Sequence, residues 1–198
     1  MIELALKKPE INSLTYPYIH PVHVLNLAKE HDVKIILPAV FYFLSLYNLT
    51  DILRADHPKL NLNHPSSPTP HISPEDIQAY TLMYQFRIQL MMDFVRRTCG
   101  ERPIARSCQS KETCDRVFNR LSSRLSRSWK TRSGPLHFMI QAQNEILDNP
   151  EVCGTCRRAF RQDVTALREE TWKNLPTIIG LPSWEELEAI DLTRTTTK

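Results

Sequence analysis

Residues 73–95 read SPEDIQAYTLMYQFRIQLMMDFV, and the fold class turns on them. Ser73 suits an N-cap, Pro74 suits the first helical position where its missing N–H costs nothing, and Glu75 and Asp76 put negative charge in the first turn. Ile77, Tyr80, Tyr84, Ile88, Met91 and Val95 then recur at three- and four-residue steps, the period of one helix face. This is the start and body of a long amphipathic helix.

Working outward, the fourteen prolines of the 198-residue chain act as a ruler, because a proline in a helix interior lacks its N–H and clashes with the turn before it. Long helices therefore belong in the proline-free windows 75–102, 104–134 and 151–175. In the second window Val117, Leu121, Leu125 and Trp129 step by four with Phe118 beside them; in the third Phe160, Val164, Leu167, Thr171 and Trp172 do the same. Shorter helices fit residues 21–31, 38–47 and 135–148, with a last one opening at Pro182. Convincing strand alternation is absent, and residues 33–37 read as a buried approach to Pro38. The expected fold is all-α, an irregular bundle of about five to seven helices with a proline-rich loop. Its organisation reads as an N-terminal helical segment (1–53), a loop or linker with Pro58, Pro65, Pro68, Pro70 and Pro74 (54–74), a main helical domain (75–192) and a disordered polar tail (193–198).

Composition excludes several activities. Hydrophobic residues are 41% and charged residues 24%, the balance of a folded globular chain. Only four glycines occur (Gly100, Gly134, Gly154, Gly180), never near one another, so a Walker loop, a dinucleotide fingerprint and a nucleophile elbow are all ruled out. The N-terminus carries an early Glu3 and no secretory core. The most apolar stretch, 33–49, is broken by Lys34, Pro38, Ser45 and Asn48. A soluble cytoplasmic or nuclear protein follows, with its five cysteines reduced.

The run Val22-His-Val-Leu-Asn-Leu-Ala-Lys-Glu-His-Asp-Val33, followed by Ile36-Leu-Pro-Ala-Val-Phe-Tyr-Phe-Leu44, resembles the helices that follow the core of BTB (POZ) domains. It is most similar to the BTB proteins of mushroom-forming fungi, with His31 standing where that group usually has tyrosine. Later parts fit the same group: two spaced cysteines after a long helix, then Cys153-Gly-Thr-Cys156, an arginine-rich helix, and Trp172-Lys-Asn-Leu-Pro-Thr-Ile-Ile-Gly-Leu ahead of Trp184. The resemblance runs from about Tyr18 to Leu187. Only seventeen residues precede it, so it implies a post-BTB helical region without the BTB core. Homodimerisation and cullin docking, which need that core, are not carried over. Val22, Leu25, Val40 and Phe41 are then expected on a face left uncovered.

The cysteines are the sharpest chemical feature. Cys108 and Cys114 form one pair and Cys153 and Cys156 a second, and four soft thiolates suit a tetrahedral structural zinc. Two other readings stand beside it: small buried thiols, and a redox Cys-x-x-Cys lacking its usual βαβ context. Cys99 is the odd one out. Residues 87–132 hold twelve Lys/Arg against four acids, a net +8 in a chain of +3. Arg116, Arg120, Arg124 and Arg127 share one stripe, which can track phosphates or pair with acids such as Glu169, Glu170, Glu185, Glu186 and Glu188. His57, His64 and His71 read as solvated loop residues, His20 and His23 as ordinary, and Trp129, Trp172 and Trp184 as core anchors. No nucleophile, base and orienter fall together, so no catalytic or cofactor-binding residue is assigned. The expected function is a non-enzymatic protein-interaction or scaffold segment with an unidentified protein partner. The alternative is a zinc-stabilised basic module that binds nucleic acid.

Overall fold

The computed structural model describes residues 19–55, 57, 60, 70–131 and 133–195. Among them are eight α-helices and no strand: α1 (Pro21–Glu30), α2 (Leu37–Leu44), α3 (Leu49–Arg54), α4 (Pro74–Asp93), α5 (Lys111–Ser128), α6 (Pro135–Asp148), α7 (Gly154–Ile178) and α8 (Trp184–Thr195). A π-helical turn, Phe94–Gly100, continues α4. The all-α expectation holds. The helix not foreseen is α3, too short to show a period. The chain divides into two compact units, one of Met1–Arg87 with Lys173–Lys198 and one of Ile88–Trp172.

In the first unit, α4 starts as its sequence dictates: Ser73 Oγ accepts the Asp76 N–H (3.3 Å), and Lys29 Nζ pairs with Asp76 (2.8 Å). The buried stripe differs from the one expected. Tyr80, Met83 and Arg87 are fully covered, whereas Ile77 and Tyr84 are half-buried. Arg87 is tolerated inside because its Nη2 donates to the Ser45 carbonyl at the end of α2 (2.7 Å) and its guanidinium sits 5.2 Å from the Tyr84 ring centroid. Helix α1 closes with Val33 N–H donating to Ala28 O (2.7 Å) and Asp32 N–H to Lys29 O (3.2 Å), with Asp32 in the left-handed region at φ 52°. The turn after it is held from the far end of the chain, where the Asp191 carboxylate of α8 accepts from Lys34 N–H (2.9 Å) and Ile35 N–H (2.8 Å).

Five features of this unit differ from the sequence expectation. Val22, Leu25, Val40 and Phe41 are core residues, 0–6% exposed, rather than an uncovered face, because α1 and α2 pack on each other. His20 and His23 are buried, and His20 Nδ1 accepts the Val22 N–H (3.3 Å). Within the 54–74 segment His57 lies against the Tyr47 and His20 rings, and Leu60 is buried. His64, Pro58, Pro65 and Pro68 lie outside the described residues. Pro176 is inside α7, which runs beyond the expected stop at Leu175; Gly180, at φ 74°, then ends the helix with Leu181 N–H donating to Pro176 O (2.9 Å). Helix α8 reaches Thr195, so the polar run from Thr193 is helical for its first three residues, and residues 196–198 lie outside those described.

The second unit packs α5 on the π turn, with α6 and the body of α7 completing its core. Val117, Phe118, Leu121 and Leu125 are buried on α5, Met139, Ala142 and Ile146 on α6, and Phe160 and Val164 on α7. Trp129, Trp172 and Trp184 are half-buried, so the phenylalanines and methionines anchor the cores instead. Among the described residues no helix is long and apolar enough to cross a membrane.

Candidate metal centre

Two helix starts build the site. Ser110 is the residue before α5, and Cys114 lies in its first turn, its N–H bonded to Ser110 O (2.9 Å). Cys108 precedes them in a turn closed by its own N–H on Ala105 O (2.9 Å). Cys153 is the residue before α7, its carbonyl accepting the Arg157 N–H (3.0 Å), and Cys156 lies in the first turn. The two-residue gap between Cys153 and Cys156, across a helix start, turns both side chains toward the same point.

All four sulfurs, those of Cys108, Cys114, Cys153 and Cys156, lie within 4.8 Å of one another. The Cys108 and Cys153 sulfurs are 3.6 Å apart, and Cys153 N–H donates to Cys114 Sγ (3.4 Å). Cys114 and Cys156 are buried; Cys108 and Cys153 are half-buried. The pairs expected from spacing thus converge, and the cluster is close enough to hold a metal ion. It is the one such group of Cys, His, Asp and Glu among the described residues. Cys99 stays apart, fully buried in the π turn, where burial pushes its thiol up to about 12.

Cys114, Cys153 and Cys156 are electrostatically unequal. Cys153 is pulled down to about 6, chiefly because the Cys156 backbone N–H, at the start of α7, bonds its sulfur. Burial raises Cys114, and burial pushes Cys156 up to about 12. A thiolate at Cys153 is an entry point for a cation, which must displace the protons that burial favours on Cys114 and Cys156 to complete its shell.

Against the Phe118 and Phe160 rings, one turn along from Cys114 and Cys156, sits a group the sequence reading missed. The Arg102 guanidinium carbon lies 4.6 Å from the Phe118 ring centroid and 5.0 Å from that of Phe160, and its Nη2 donates to Asp163 Oδ2 (2.9 Å). Its signal was available: Phe118 is four residues after Cys114, and Phe160 four after Cys156.

The arginine stripe on α5 is exposed as expected, but its partners are not the acids expected. Arg124 pairs with Glu145 of α6 through two nitrogens, and Arg120 approaches Glu151 (3.9 Å). Half of the stripe is therefore already committed within its own unit.

No protein-family model, no curated protein and no solved structure matches this chain.

Proposed function

We propose that this is a non-enzymatic interaction or scaffold protein of the cytoplasm or nucleus whose residues 88–172 are stapled by a structural zinc on Cys108, Cys114, Cys153 and Cys156. The observation that carries the zinc is the convergence of the four sulfurs within 4.8 Å. A tetrahedron with Zn–S near 2.3 Å needs sulfurs about 3.8 Å apart, close to what is already present. A closed set of four thiolates leaves no open coordination position, which favours a structural over a catalytic role. The scaffold reading draws on the resemblance of residues 22–44 to the helices after a fungal BTB core.

Elemental analysis of protein purified under reducing conditions tests the zinc. About one zinc per chain is expected, with Cys153→Ser releasing it; less than about 0.2 per chain refutes it. The nucleic-acid alternative is weakened by the Arg120 and Arg124 pairings, and it is tested by salt-dependent retention on DNA or RNA columns.

A further inference from the structure

We propose that Arg102 is the buried counter-charge of the four-cysteine centre, a positioning residue that stabilises the metal-bound tetrathiolate. The inference rests on reading the cluster as a metal centre. A divalent cation held by four thiolates carries a net charge of −2, and two of those sulfurs, Cys114 and Cys156, are buried. Burying such charge is costly unless an opposite charge accompanies it. The starts of α5 and α7 supply only partial positive charge.

Arg102 is the full charge placed to do the rest. Its side chain is 8% exposed. Side chains four residues apart on a helix stack on one face, so Phe118 lies one turn below Cys114, and Phe160 one turn below Cys156. The guanidinium rests on both rings, at 4.6 and 5.0 Å, and the rings themselves are 5.3 Å apart. Nη2 points outward to Asp163, which is 58% exposed, whereas Nη1 is buried with no hydrogen-bond partner among the described residues. The guanidinium feels the Asp163 carboxylate most and, after it, Cys156 of the cluster and Cys99 of the π turn. A buried cation with one arm unsatisfied, stacked on the rings one turn along from two cysteines whose cluster becomes anionic when loaded, is what a counter-charge requires. The packing of an inert arginine would not need it.

The test compares zinc affinity of the full chain and its Arg102→Met and Arg102→Lys variants, by competition with a chromophoric chelator. Loss of a group outside the ligand shell weakens metal binding about 10- to 100-fold, and that loss is expected of Arg102→Met. Arg102→Lys keeps the charge while giving up the planar stacking, so it should bind zinc more tightly than Arg102→Met and within about tenfold of wild type. If Arg102 only packs, the metal-free and zinc-loaded forms lose stability equally, and Arg102→Met binds zinc as the wild type does; that result overturns the proposal. So does an Arg102→Lys variant as weak as Arg102→Met, or, should Arg102→Met fail to fold, an Arg102→Lys variant weakened tenfold or more on its own. A wild-type chain that binds no zinc sinks the metal reading itself, an outcome distinct from both.

Discussion

Replacing Asp191 by alanine should loosen the first unit far more than an ordinary surface substitution. Its carboxylate takes two backbone donors, Lys34 N–H at 2.9 Å and Ile35 N–H at 2.8 Å, from a turn about 156 positions away in sequence. Ile35 is 6% exposed, so water cannot readily replace its lost acceptor, whereas Lys34 is half-buried and recovers part of the loss. A buried donor left unsatisfied costs about 1–3 kcal/mol, and taking the upper half of that range for Ile35 and the low end for Lys34 gives about 3 kcal/mol in all. Asparagine keeps one acceptor oxygen but loses the charge, so Asp191→Asn should cost about 1–1.5 kcal/mol. A change of about 3 kcal/mol shifts the folded-to-unfolded ratio roughly 150-fold, a large share of a domain's stability. Urea unfolding followed by fluorescence reads the total. Amide hydrogen exchange at Lys34 and Ile35 reads the contact itself, and both amides should lose protection in Asp191→Ala. An alanine variant within about 0.5 kcal/mol of wild type, with these amides still protected, would refute the reasoning.

Two further outcomes follow from close contacts. Tyr80 donates its hydroxyl to Tyr47 O (2.8 Å), and burial pushes its pKa up to about 12. Above pH 10 the unfolded chain releases this proton first and so binds fewer than the native state. The contribution is therefore whole below pH 10 and fades as pH climbs toward 12, a fall of about 3 kcal/mol that Tyr80→Phe should remove from the alkaline arm of the stability curve. Gly100→Ala would bring a methyl to 2.9 Å from Ser122 Oγ, the group that donates to Val95 O (3.0 Å). It should cost about 1–2 kcal/mol in the wild type and clearly less in a Ser122→Ala background, and thermal melts showing additive costs would argue against that contact.

Much of this architecture is legible in sequence, for identifiable reasons. Helix α6 matches the expected 135–148 residue for residue because Pro135 starts it and its apolar period is unbroken. The Cys153–Cys156 pair is legible because it straddles a helix start, so its spacing turns both sulfurs one way, whereas Cys108 reaches Cys114 across five residues through the turn that closes on Ala105 O. Periodicity is blind where a polar group occupies the buried stripe. Arg87 sits there because the Ser45 carbonyl receives it, a partner that comes from the fold, while the Tyr84 ring three residues back on the same helix adds a local contact that periodicity does not score. The proline rule failed at Pro176 because it lies two residues from the end of α7, so one i→i−4 bond is given up and almost no helix remains beyond it to be kinked. The partners of Arg120 and Arg124 were missed for a related reason: which acid faces an arginine depends on how α5 and α6 pack, and charge counts carry no such information.

The π turn at Phe94–Gly100 has a bearing on how this chain can change length. There Glu101 N–H reaches back five residues to Arg96 O (2.7 Å), where an α-helix would reach back four, so the segment carries a surplus residue. Gaining or losing one residue within α4 itself would turn everything on one side of the change by about 100°, parting Tyr80, Met83 and Arg87 from the neighbours they share a face with. Losing one within the π turn would instead relax it to an ordinary α-helix, leaving the phase of α4 intact. In a lineage of such chains, single-residue gaps should therefore gather between Phe94 and Glu101 and be rare in the twenty residues before them.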